Sequence, residues 1–347
     1  MEERKKVITA YALDDSELNI TEEDVKKLTH INIAFGSIKD GDILTDHLKV
    51  VYDIDRLKSW NSDLKVSLSL VSATADDFSV GCSTEAGRRK IAASCAKVIQ
   101  KYRLDGVDMD WEFPCCFSNF GTASPADRQN FTEVCREIRE ALDGIGRNDG
   151  KHYIFTIATG GDEYYTRNTE IDKVQQYLDY VYIMTYDLRC GFHSLTGHHT
   201  NLYTATGDLY RTSCEAAVKI FHEAGVPMDK IVIGAAAYSR KWDNVANKNN
   251  GFLQLTEGAG GYGPRYDELV EKYIDKNGYT RFWDDEAKAP YLFNSSTFIS
   301  YDDVESITHK CKFIKDKGCA GVFYWQYYYD GTGTLLDVMY RHLNPGI

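Results

Sequence analysis

The 347-residue chain is 43% hydrophobic and 27% charged, enough apolar material for one large domain or two ordinary ones. A net charge of −12 with no dense Lys/Arg block argues against nucleic acid or an anionic membrane as partner, since both need a basic patch that releases counterions, and favours a neutral substrate. Aromatic residues make up 13%, with 24 Tyr, which suits ordinary core usage and sugar-stacking platforms alike.

The opening MEERKKVITAYALDD passes from charge into an apolar run too short for the core of a secretory signal, and no run of roughly 18 apolar residues follows anywhere. Short apolar and β-branched runs then recur in order: KVITAYA, HINIAFG, LKVSLSL, LDGVDMDW, YIFTIATGG, YVYIMTYD, KIVIGAAAY and AGVFYWQ, eight in all. Between them RRKIAASCAKVIQKYR, RQNFTEVCREIREALDGI, CEAAVKIFHEAGV and DDVESITHKCKFIKDKG carry helical periodicity, the last ending on a glycine where a helix C-cap belongs. Eight alternating units predict an α/β fold, a (β/α)8 TIM barrel; an open doubly wound sheet fits eight units less well.

One interval breaks the rhythm. KIVIGAAAY and AGVFYWQ lie about eighty residues apart, far more than one helix and two loops need. Gly-rich turns, one helical patch and alternating runs in that interval predict a small α+β insertion over 243–300, with 1–242 and 301–347 forming the barrel. The nine cysteines show no CxxC spacing for zinc or redox chemistry and read as mostly free thiols, which points to a reducing, cytoplasmic setting. A leader removed beforehand would instead make the chain a secreted one. A monomer is expected.

The fourth run carries the chemistry. In LDGVDMDWEFP, side chains of a strand alternate between faces, so Asp108, Asp110 and Glu112 share one face while Val107, Met109 and Trp111 take the other. In a barrel the first face is the interior, and the acidic row stands at the strand's C-terminal end, where barrel active sites are built. A solvated edge strand would also alternate charges, but the apolar residues flanking this row argue against it. A divalent metal site is a second alternative; no loop of the calcium-binding type lies nearby, and no metal or cofactor is assigned. Packed carboxylates drive their proton affinities apart, which suits an acid working beside an ionised stabiliser, the chemistry of a glycosidase.

Asp105, Asp108, Asp110 and Glu112 match, position for position, the DxxDxDxE signature of family 18 glycoside hydrolases, and the chain resembles bacterial-type chitinases of that family along its length. IMTYD is similar to the family's sixth-strand motif, GHHTNLY to the segment after it and AAAYSRKW to the seventh-strand Tyr-x-Arg segment. WDDEAKAPYLFN and ISYDD resemble the motifs of the inserted domain, and GVFYWQ the eighth strand with its tryptophan.

The resemblance implies hydrolysis of β-1,4 linkages in chitin or another N-acetylglucosamine-containing glycan by a retaining, substrate-assisted route, an exception to the two-carboxylate scheme. Glu112 is implied as acid and base, Asp110 as the group that orients and stabilises the substrate's acetamido nitrogen, Asp108 as its proton-sharing partner and Tyr186 as donor to the acetamido oxygen. Trp325 is implied as the floor under the sugar, Met184, Asp187, Tyr238 and Arg240 as sugar contacts, and Tyr11 and Phe35 as aromatics beneath the same pocket. Two features depart from the pattern. The third strand reads SLVSA, keeping Ser69 but placing Val71 and Ser72 where the family has glycines, and Gln326 follows Trp325 where relatives carry an acid or an apolar residue.

A sugar-binding lectin of the same fold would lack the acid, and Glu112 is present. Cleavage of peptidoglycan or of the chitobiose core of N-glycans is the nearer rival: the complete insertion and Trp325 favour chitin, while the altered third strand keeps the rival open.

Overall fold

The computed structural model describes residues 5–13, 20–49, 53–74, 77–116 and 123–345. Its strands, in chain order, are β1 (Val7–Leu13), β2 (His30–Lys39), β3 (Asp42–Leu44), β4 (Lys65–Ser72), β5 (Gly106–Met109), β6 (Ile154–Gly160), β7 (Tyr180–Met184), β8 (Ile231–Ala236), β9 (Tyr238–Trp242), β10 (Gly261–Arg265), β11 (Thr280–Asp284), β12 (Ala289–Phe293), β13 (Phe298–Ser300) and β14 (Gly321–Trp325). One sheet has the order β1-β14-β8-β7-β6-β5-β4-β2, with β1 also pairing β2, so the eight predicted runs close on themselves as a (β/α)8 barrel; β3 adds a short antiparallel edge to β2. A second sheet, β10-β9-β13-β12-β11, is antiparallel and spans the predicted insertion.

The four helical patterns are found as Glu85–Tyr102, Asp127–Asp149, Cys214–Glu223 and Val304–Lys317. The last is capped at both ends: Asp303 accepts the backbone N–H groups of Glu305 and Ser306 at 3.0 Å, and Gly318 closes it at φ +76°. Two compact units make up the chain, one of Thr9–Ile183 with Ile220–Val232, the other of Met1–Ile8, Met184–Lys219 and Ile233–Ile347.

In the first unit, parallel pairing sets Ser69 beside Asp108 and Asp108 beside Thr156. Gly106 allows the approach of β5 to β6, because a Cβ there would lie 2.1 Å from the Ile154 carbonyl oxygen. The opposite face of this strand packs into the helix layer: Trp111 stacks on Phe78 at 5.3 Å and meets Phe131 edge-on at 5.8 Å. In the second unit, Trp242, Phe252, Tyr291, Phe293 and Phe298 form the core of the antiparallel sheet. No helix among the described residues is long and apolar enough to cross a membrane.

Candidate active site

Asp108 is fully buried and accepts three hydroxyls: Tyr11 at 2.7 Å and Ser69 at 2.8 Å on Oδ2, and Thr156 at 2.6 Å on Oδ1. Burial pushes its carboxyl above the ordinary value, and the three donors pull against that shift. Two residues on, Asp110 is also buried. Burial again comes first, then the charges of Glu112 and Asp108, and together they push its proton affinity well above that of an ordinary carboxylate. Asp110 shares a hydrogen bond with Glu112, which is exposed, and its buried Oδ1 has no hydrogen-bond partner among the described residues. The row therefore runs from a hydroxyl-clamped buried acid, through a buried one of raised proton affinity, to a solvent-facing glutamate.

The signature's first aspartate does something else. Asp105 accepts the Val66 N–H at 2.8 Å and pairs with Lys58 at 2.8 Å, tying the start of β5 to β4. Tyr11, expected beneath a pocket, is buried with its hydroxyl committed to Asp108 and its ring edge-on to Tyr182 at 6.3 Å. Phe35 is half-buried, and its carbonyl lies 2.9 Å from His47 Nε2. Ser69 and Thr156 were not singled out as site residues. Their signal was present all the same, since each is a polar residue at an inward position of an apolar strand.

In the second unit the half-buried Tyr186 stands two residues past β7, edge-on to Tyr238 and to Phe323, both at 5.9 Å. Gly234 makes that placement possible: a Cβ there would come within 2.9 Å of the Tyr186 ring. Thr185 locks the same spot, exchanging hydrogen bonds with the Gly234 carbonyl at 2.7 Å and its N–H at 2.9 Å. Arg240 donates to both oxygens of Asp187, from Nε at 2.6 Å and Nη2 at 2.5 Å, and its guanidinium lies 3.8 Å from the centre of the exposed Tyr262 ring. Tyr238 and Arg240 share one face of β9, and Tyr238 hydrogen-bonds to Asp187. Burial raises the Asp187 carboxyl, but His199 and Arg240 beside it more than reverse that and leave it below the ordinary range. Met184 and Trp325 are half-buried at the last positions of β7 and β14. Gln326 is buried and accepts the Tyr328 N–H at 3.0 Å, so the unusual residue beside Trp325 caps the turn that follows.

Among the described residues no three His, Cys, Asp or Glu side chains gather in a group that could hold a metal ion, and all nine cysteines are free. The structure thus brings Tyr11, Asp108, Asp110 and Glu112 together in one unit, and Tyr186, Asp187, Tyr238 and Arg240 in the other.

Comparison with known proteins identifies the family. The chain is 36% identical to Chitinase A1 of Niallia circulans over 92% of its own length, and spans half the length of that protein. It is 28% identical to Chitinase B of Serratia marcescens, covering 94% of this chain and 78% of that one. A solved family 18 N-acetylglucosaminidase of Paenibacillus barengoltzii superposes with a TM-score of 0.95 at 51% identity, over 97% of this chain and all of that one. The family description "Glycosyl hydrolases family 18" matches residues 7–330, and the chain is accordingly a glycoside hydrolase belonging to family 18.

Proposed function

We propose that the protein hydrolyses β-1,4 linkages between N-acetylglucosamine units of chitin or chito-oligosaccharides, with retention of configuration and with the substrate's own acetamido group as nucleophile. The observation that carries this reading is Asp110: a buried carboxyl whose proton affinity is pushed well up, which bonds to the exposed Glu112 and whose Oδ1 has no donor among the described residues. An acetamido N–H is a fitting partner for that oxygen. Glu112 protonates the glycosidic oxygen as the bond to the anomeric carbon breaks, and the acetamido oxygen closes on that carbon. Asp110 stabilises the charge that develops on the nitrogen, while Asp108, clamped by Tyr11, Ser69 and Thr156, takes a share of the Asp110 proton. Water then attacks with Glu112 as base. Tyr186 orients the acetamido oxygen, Trp325 lies under the ring, and Met184, Asp187, Tyr238 and Arg240 bind sugar hydroxyl and acetamido groups. Residues 243–300 are read as a small α+β insertion subdomain. Glu112, Tyr186 and Trp325 all stand at or just past the C-terminal ends of barrel strands, which supports the assignment.

A second reading, an N-acetylglucosaminidase releasing single sugars, is favoured by the full-length likeness to the Paenibacillus barengoltzii protein. Products from chito-oligosaccharides of defined length, beside those from a peptidoglycan fragment and an N-glycan, decide between them. Disaccharides and longer fragments support chitinase action, monosaccharide alone supports the second reading, and cleavage confined to peptidoglycan or N-glycan refutes both.

A further inference from the structure

We infer that His199 is a positioning residue for Asp187: its neutral ring accepts the Asp187 N–H and thereby holds that carboxylate in register with Arg240. The inference rests on the reading of Asp187 as a sugar contact and adds to it a residue and a pH dependence.

The geometry is specific. Asp187 sits at φ +56°, in the left-handed region that a residue other than glycine seldom occupies, so something must hold it there. His199 holds it twice. Its Nδ1 lies 3.4 Å from the Asp187 amide nitrogen, which donates to it, and its carbonyl accepts the next N–H, that of Leu188, at 3.0 Å. The histidine is itself fixed, because its own N–H donates to Ser300 Oγ at 2.8 Å and its ring lies 5.3 Å from that of Tyr238. The side chain is 0% exposed.

An Nδ1 that accepts an amide proton carries none of its own, so the ring proton belongs on Nε2. That nitrogen is buried and has no hydrogen-bond partner among the described residues. Burial lowers the His199 pKa, Asp187 and Asp302 pull it back up, and Arg240 opposes them; the balance keeps the ring neutral near pH 7. The charged or titratable groups facing it are thus Asp187, Tyr238, Arg240 and Asp302, the last neutralised by Lys310 at 2.6 Å. Protonation at Nδ1 abolishes the acceptor. It sets a donor against the Asp187 N–H and, with Asp187 Oδ1 only 3.6 Å away, a competitor against Arg240 for that oxygen. Sugar binding through Asp187 is therefore lost in acid, below the ordinary imidazole range, by a route separate from the catalytic carboxylates.

The test uses the whole chain with a chito-oligosaccharide substrate. Long-range proton–nitrogen NMR should show His199 as the Nε2–H tautomer at pH 7; the Nδ1–H tautomer overturns the proposal whatever the activity. His199→Leu should raise KM about 10-fold, the value of one hydrogen bond, with kcat changed much less. Should that variant not fold, His199→Asn carries the test. It keeps an acceptor at the δ position but cannot titrate, so it should restore a KM near wild type at pH 7 and remove the acid rise in KM seen with wild type. An identical acid rise in His199→Asn overturns the inference. Asp187→Asn separates the two levels: a raised KM there with a wild-type KM in folded His199→Leu refutes the positioning role alone, whereas an unchanged KM in Asp187→Asn refutes the sugar-contact reading and the inference together.

Discussion

Tyr11→Phe is the most informative perturbation of the carboxylate row, because it deletes one oxygen and no volume. Asp108 has three hydroxyl donors at 2.7, 2.8 and 2.6 Å, and the substitution leaves two. A hydrogen bond to a buried charge contributes about 1.5–3 kcal/mol, so the ionised form of Asp108 is destabilised by that much and its proton affinity rises by about 1–2 pH units. Burial already sets the folded pKa of Asp108 above the unfolded one. For such a group, stability is full below the unfolded pKa and declines as pH rises through the folded value. The variant should therefore match wild type most closely in acid and show its deficit, about 1.5–3 kcal/mol in urea melts, at neutral pH and above. In kinetics, the acid limb of the kcat profile should move up by about 1–2 units, because Asp110 needs an ionised neighbour to share its proton. Ser69→Ala and Thr156→Val should shift the same limb in the same direction. An unmoved acid limb, with a stability deficit that does not depend on pH, would refute the view that these hydroxyls tune Asp108.

Three further outcomes are expected. Glu112→Gln should leave the circular dichroism spectrum and oligosaccharide binding intact while kcat falls about 10²–10⁴-fold, and turnover near wild type would sink the acid assignment. Asp110→Asn and Tyr186→Phe should each lower kcat more than they weaken binding, and the double variant should lose less than the product of the two, since both serve one intermediate; strictly multiplicative losses would count against a shared role. His30 is buried, and burial with a smaller push from Lys65 lowers its pKa to about 3, so the unfolded chain takes up this proton first as pH falls. Stability should drop by about 2 kcal/mol between pH 7 and pH 5 on this account, and His30→Gln should flatten that slope in urea melts; equal slopes would exclude His30 as the cause.

What could be read from the chain before folding follows from which interactions are local. The eight strands were legible because apolar and β-branched runs need no partner to reveal themselves, and the faces of the fourth because alternation has a fixed period of two. Trp111 took the helix side for that reason, and its stacking on Phe78 follows from it. The start of the second sheet was hidden. From Ile231 to Trp242 no proline, asparagine or aspartate interrupts IVIGAAAYSRKW, yet the chain leaves the barrel after Ala236 and enters the antiparallel sheet at Tyr238, the change marked by Ala237, whose N–H reaches the Trp325 carbonyl at 2.8 Å and whose carbonyl accepts the Tyr266 N–H at 2.9 Å. Polar partners were harder still. Ser69 and Thr156 look like minor punctuation in apolar strands until strand register sets both beside Asp108, 39 residues from one and 48 from the other. His199 offers even less signal, because its role depends on a loop that returns to Asp187, three residues past the end of β7. A sequence shows which residue types can do chemistry. It does not show which hydroxyl or ring nitrogen will decide the protonation of a given carboxylate, because that choice is made by pairings of strands and loops whose members are far apart in the chain. On the proposed reading, function is set at those pairings: the acid row could be read from one strand, whereas the hydroxyls that set the proton affinity of Asp108 come from β1, β4 and β6.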